Sequence, residues 1–171
     1  MNSMSRFRAI DLNRDKTALL DFHCRINYES ETPYARTVPY AEYREKWLST
    51  SQPKSFLSEL AKSMKDNRTI AEILEDQNQT VGYVWVTFTD IPDYGITIAE
   101  IMDIAVAPDH QHRGLGTMMM RHAEEQARRQ GATFLRSDTG IDNVASQKLH
   151  ESLGFRAFEY TMKNDCRRLC V

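Results

Sequence analysis

The stretch from Ile104 to Met120 restricts this chain more than any other. It opens as an apolar strand, breaks at Pro108, crosses a polar loop containing Gly114 and Gly116, and runs into a helix through Thr117 and Met118. Glycine lets the backbone turn and come close to a ligand. The first amides of the helix that follows have no intrahelical acceptors, and the helix dipole adds ~0.3 to 1 kcal/mol for each negative charge held there. Strand, glycine loop and helix start, in that order, make a seat for an anion such as a diphosphate, with no need of lysine or metal.

Two familiar phosphate loops do not fit. A Walker loop ends in Gly-Lys-Ser/Thr, whereas Gly116 is followed by Thr117 and Met118. A dinucleotide fingerprint needs a third glycine three residues after the second, and that position is Met119. A nucleotide-binding α/β protein is therefore disfavoured.

The run Gln111-His112-Arg113-Gly114-Leu115-Gly116 resembles motif A of the GNAT superfamily of N-acetyltransferases, Gln/Arg-x-x-Gly-x-Gly/Ala. Upstream Ile104-Ala105-Val106 with Pro108, and downstream Asn143, Ser146, Leu149, His150, Gly154 and Phe155, are similar to that family's flanking signatures at their usual separations. The resemblance implies an α/β (α+β) fold: a mixed, mostly antiparallel sheet with helices on both faces and splayed fourth and fifth strands. It also implies acetyl-CoA as co-substrate. The backbone from Gln111 through Thr117 would hold the diphosphate, Ile104, Ala105 and Val106 the pantetheine arm, and Asn143 and Ser146 the pantetheine and phosphate region. The C-terminal pieces look most like ribosomal-protein N-terminal acetyltransferases.

At 171 residues the chain fits one domain, 1–171. Within it, 1–95 is expected to form the acceptor side, 96–163 the coenzyme half and 164–171 a tail. Its 22 basic and 24 acidic residues nearly cancel, so no nucleic-acid partner is expected. No apolar run approaches the ~20 residues that cross a bilayer, and no charged-then-apolar leader is present, so a cytoplasmic protein without a membrane partner is expected. Cys24, Cys166 and Cys170 read as free thiols. Cys166 and Cys170 alone are too few for zinc, so no metal is expected. A homodimer stays open.

Along the chain, Phe7 to Ile10 reads as a first strand, with a helix capped at Asp11 or Asn13 running to Ser30. His23 and Cys24 on it read as packing residues. Pro39 opens a second helix and Pro53 a third. Residues 69–74 and 81–89 are strand-like, joined by a hairpin turn at 76–79, and Ile96 to Val106 is a fourth strand. A helix from Leu115 to Gln130 ends at Gly131. Residues 134–139 form a fifth strand, 143–153 a helix, and a last strand runs from Phe155 to about Met162. In the resembled family, segments after the first strand line the acceptor pocket. Tyr34, Tyr40, Tyr43 and Trp47 with Glu29, Glu31, Glu42 and Glu45 would then meet a cationic amine, or else form a core stripe and a solvated face.

Acetyl transfer to an amine needs a base for the ammonium proton, assistance worth ~10² to 10⁴-fold, and a proton for the leaving thiolate. By resemblance, Glu100 matches the catalytic glutamate of histone-type members. Asp138 matches the strand-five glutamate of the ribosomal-protein enzymes. Asp103 has the opposite strand parity to Glu100 and is expected on the other face. The family commonly places a tyrosine acid seven residues after the motif asparagine, where this chain has His150. The expected function is direct acetyl transfer to a primary amine of a small molecule or protein N-terminus. The alternative is a non-catalytic acyl-CoA-binding or sensing module.

Overall fold

Asp11 begins the architecture by capping a helix: its Oδ1 accepts from the amides of Asn13 (2.9 Å) and Arg14 (3.3 Å). The computed structural model describes residues 5–30 and 35–158. Strand β1 (Arg6–Ala9) leads into helix α1 (Leu12–Ser30), then α2 (Tyr40–Leu48) and α3 (Gln52–Ser63). Strands β2 (Ile70–Asp76) and β3 (Gln79–Ile91) form a hairpin whose turn residues, Gln77 and Asn78, have φ of 51° and 63°. Two successive left-handed residues are what a twisted two-residue hairpin requires. Strand β4 (Ile96–Val106), helix α4 (Leu115–Arg129), strand β5 (Phe134–Ser137) and helix α5 (Val144–Ser152) complete the described chain.

The sheet order is β1-β2-β3-β4-β5, antiparallel throughout except for the parallel β4–β5 pair that α4 connects. Pairing of β4 with β5 stops at Ile101 and Ser137, whereas pairing with β3 continues to Val106 and Gly82. Beyond Ile101 the last two strands part, and β4 has a strand partner on one side.

Each face carries its own core. Met119, Met120, Ala123 and Ala127 recur at helical spacing on α4 and pack on Val84, Val86, Ala99 and Ile101. Leu19, Phe22, Phe56 and Leu60 from α1 and α3 pack on Ile73, Tyr83 and Trp85 of the opposite face. Both α4 and α5 end in the same way. Gly131 and Gly154 adopt φ of 80° and 85°, and the following amides reach back to Ala127 (3.0 Å) and His150 (3.0 Å).

At the β1 edge, buried Glu75 accepts from Arg6 (2.8 Å), Arg8 (2.7 Å) and Arg14 (2.7 Å), and Arg8 also grips buried Asp15 (2.7 Å). This cluster ties the first turn of α1 to β1 and β2. The expected last strand from Phe155 falls largely outside the described residues, and 155–158 run without strand pairing. Tyr34, Glu31, Cys166 and Cys170 also lie outside them. Among the described residues no helix is long and apolar enough to cross a membrane, and no cluster of three metal-ligating side chains forms.

Candidate active site

After Val106 the strand closes with the Ala107 amide on the Val81 carbonyl (2.8 Å), and Pro108–His110 make a single tight turn. His112 (φ 59°) and Gly114 (φ 79°) then take left-handed conformations and aim the chain into α4. Gly114 is the N-cap residue and brings no side chain, so nothing from the side chains caps α4. The first helical bond runs from Met118 to Gly114 (3.1 Å). The amides of Leu115, Gly116 and Thr117 therefore have no acceptor behind them in the helix. A side chain at Gly116 would meet Leu149 of α5 at 3.3 Å, so this glycine also serves close packing. Gln111 bonds its side-chain amide to the Val106 carbonyl (3.2 Å), which ties the loop to the strand end. His112 and Arg113 are exposed beside it.

Ile104, Ala105 and Val106 occupy the part of β4 that β5 leaves. Helix α5 borders the other side. Asn143 caps it, Oδ1 accepting from the Ser146 amide (3.1 Å), which leaves the Asn143 NH₂ group as a donor. His150 is buried, its Nδ1 2.7 Å from the Ser146 carbonyl and its Nε2 2.8 Å from the Ser137 hydroxyl. A carbonyl only accepts, so Nδ1 carries the hydrogen, and Nε2 of the neutral ring accepts from Ser137.

The carboxylates are arranged differently from the alternation read in the sequence. Glu100 faces Arg136 across the β4–β5 pair, its Oε1 taking both Nη2 (2.6 Å) and Nε (3.1 Å). Asp138 is exposed just past the end of β5. Asp103 was expected on the face opposite Glu100, and it is not. Trp85 pairs with Asp103 and Val86 with Ile101, so Met102 is an extra residue, a β-bulge. The bulge reverses parity, and Asp103 and Glu100 share the face toward α1. There Asp103 is buried and accepts from the Tyr83 hydroxyl, and the His23 Nδ1 lies 2.6 Å from its Oδ2. Burial, reinforced by the Asp103 charge, pushes the Tyr83 phenol well above its ordinary range and keeps it a donor.

His23 thus does more than pack, and helix periodicity gave no sign of it. His122 is a face residue, stacked on Phe7 (3.7 Å) and paired with Glu72 (2.5 Å). On the acceptor side, Trp47 is buried, Tyr28 meets Tyr40 edge to face and Tyr43 at a tilt, and Glu29, Glu42 and Glu45 are exposed.

A mixed sheet whose parallel β4–β5 pair parts beside an uncapped helix is the fold of the acetyltransferase structures on which this chain superposes. Residues 28–155 match the acetyltransferase (GNAT) family, and the chain belongs to it. It is 28% identical over 127 residues to aminoglycoside N(6')-acetyltransferase type 1 of Acinetobacter haemolyticus, covering 70% of this chain and 84% of that one. It is 40% identical over 57 residues to the [ribosomal protein bS18]-alanine N-acetyltransferase of Salmonella typhimurium, covering 33% of this chain and 38% of that one. The structure of a predicted acetyltransferase with acetyl-CoA from Clostridium acetobutylicum superposes with a TM-score of 0.69 at 14% identity, over 96% of this chain and 98% of that one.

Proposed function

We propose that the protein is an acetyl-CoA-dependent N-acetyltransferase that passes the acetyl group directly to a primary amine, on a small molecule or a protein N-terminus. The observation that carries this reading is the start of α4, where the amides of Leu115, Gly116 and Thr117 meet neither a helical acceptor nor a capping side chain. A coenzyme A diphosphate supplies those acceptors, held by the loop from Gln111 to Thr117. The margin of β4 from Ile104 to Val106 pairs with the pantetheine amides, flanked by Asn143 and Ser146. The half from residue 96 onward is the coenzyme side, and the elements before it form the acceptor side. No metal, nucleic acid or membrane enters the reaction, and a cytoplasmic site of action suits its co-substrate.

Of the carboxylates, Glu100 has Oε2 left for a proton, and Asp138 stands at the end of β5. For the leaving thiolate, His150 protonated on both nitrogens gives its Nε2 proton to the Ser137 hydroxyl 2.8 Å away as that hydroxyl passes its own proton to sulfur, and water recharges the imidazole. Replacing His150 by phenylalanine is expected to lower turnover with little change in acetyl-CoA affinity. Gly116→Asp is expected to abolish binding, through bulk against Leu149 and charge against the diphosphate. Undiminished binding in that variant would argue against the site.

The deciding assay is thiol release from acetyl-CoA with neamine, spermidine and an alanyl peptide. Amine-dependent release is expected. Coenzyme binding without release would favour a non-catalytic acyl-CoA sensor, a reading prompted by His150, buried with both nitrogens engaged, at the position of the family's tyrosine.

A further inference from the structure

Transfer to an amine needs a group that takes the ammonium proton, and the α1-facing side of the sheet holds one that no motif marks. His23 projects from the middle of α1 onto β4, its Nδ1 2.6 Å from Asp103 Oδ2. Asp103 is 6% exposed and also receives the Tyr83 hydroxyl. The imidazole lies flat on Phe56, with centroids 3.9 Å apart and planes 8° from parallel, and Trp47 stands 6.0 Å away. A carboxylate accepts and does not donate, so Nδ1 carries the hydrogen and Nε2 of the neutral ring keeps its lone pair. With 19% of its side chain exposed, His23 keeps one rim open to solvent. Asp103 directly precedes Ile104, the first residue of the β4 margin assigned to pantetheine.

The geometry points to His23 as the base that takes the proton of the acceptor ammonium, with Asp103 and Tyr83 as positioning residues, an inference that rests on the acetyltransferase reading above. The arrangement resolves what the Met102 bulge does: it turns a carboxylate that would face α4 toward α1, where it orients an imidazole. Glu100 instead has one oxygen held twice by Arg136. Around the ring, β4 contributes Asp103, β3 contributes Tyr83, α3 contributes Phe56 and α2 contributes Trp47. Arg44 of α2 is held by Asp21 (2.6 Å), and among the described residues no further charged group pairs with the imidazole.

In the step itself, an ammonium N–H bond breaks to Nε2 and leaves a neutral amine and an imidazolium. The nitrogen lone pair forms the C–N bond as the thioester C–S bond breaks. The second nitrogen proton leaves to water, the thiolate takes a proton from the Ser137 relay that water reloads, and the imidazolium returns its proton to water.

The test is the pH profile of kcat/KM for neamine and for an alanyl peptide, beside acetyl-CoA affinity by calorimetry, in wild type and His23→Gln. The variant is expected to bind acetyl-CoA within about threefold of wild type, to lose about 10²-fold or more in kcat/KM, and to lose the acidic limb of the profile. Added imidazole should restore part of the rate of His23→Ala. A variant that retains the limb, or whose kcat/KM stays within about threefold, overturns the assignment. Nitrogen-15 spectra of the wild type decide the tautomer even where variants do not fold: hydrogen on Nδ1 is expected, and hydrogen on Nε2 refutes the dyad. A wild type that binds no acetyl-CoA, or acetylates neither probe, sinks the acetyltransferase reading instead, while the spectra still decide the dyad.

Discussion

Replacing Gly82 by alanine puts a methyl carbon 2.6 Å from the Ala105 carbonyl oxygen and 2.9 Å from the Met119 sulfur. Met119 is the flexible partner and can give way, but the carbonyl belongs to the central hairpin of β3 and β4 and moves only with the strand. Overpacking of this kind costs about 1 to 3 kcal/mol. Against it stands the smaller unfolded-state entropy of alanine, which favours the variant by about 0.4 to 1 kcal/mol. The two ranges leave a loss of about 0 to 2.6 kcal/mol, centred near 1.3, which is about 3 to 5 °C in Tm for a chain of this size. Because Ala105 lies in the β4 margin assigned to the coenzyme, the affinity for acetyl-CoA should fall as well. Thermal unfolding and calorimetry read the two effects separately. Adding Met119→Ala removes one contact and leaves the carbonyl clash, so the double variant should not recover wild-type affinity. A Gly82→Ala protein as stable as wild type, with unaltered affinity, would refute the close approach of β3, β4 and α4 described above.

Other perturbations read other parts of the molecule. Glu75, held down to about 2 from 4.5 mainly by its bonds to Arg8 and Arg6, contributes stability that is present above pH 4.5 and lost as pH falls toward 2. The gap in urea midpoint between wild type and Glu75→Gln should therefore be constant at neutral pH and close on acidification. A gap that widens in acid contradicts the ion cluster. Asn143→Ala removes the cap of α5 and should cost about 0.5 to 2 kcal/mol, read from urea unfolding, with a loss of coenzyme affinity that an Asn143→Asp protein shares only in part. Leu60→Ala, at a fully buried position between α3 and the sheet, should cost about 2 to 5 kcal/mol, and a cost below about 1 would show that α3 is not packed there.

The parts of the fold that local chemistry controls were legible. The turn at Gln77 and Asn78, the Asp11 cap, the Gly131 stop and the loop-to-helix entry at Gly114 each rest on one residue type with one conformational use. What escaped depends on pairs far apart in the chain. Nothing at Met102 announces an extra residue in β4, because a bulge is defined by its partner strand, so strict alternation put Asp103 on the wrong face. His23 sits at an apolar helical position and reads as packing until Asp103, 80 positions later, arrives beside it. The cluster of Glu75 and Asp15 with three arginines was invisible for the same reason, since each charge alone looks like solvated surface.

The parting of β4 from β5 beyond Ile101 and Ser137 also bears on self-association. A bare sheet margin normally invites another chain to add a strand and seed aggregates. Here the margin lies inside a notch between two strands of one sheet rather than on an outer rim. Neighbouring strands stand about 4.8 Å apart, so a notch that opens from that spacing admits a single thin extended molecule. A strand of a second copy would have to leave its own sheet to enter, and that cost of local unfolding guards the backbone the reaction leaves uncovered.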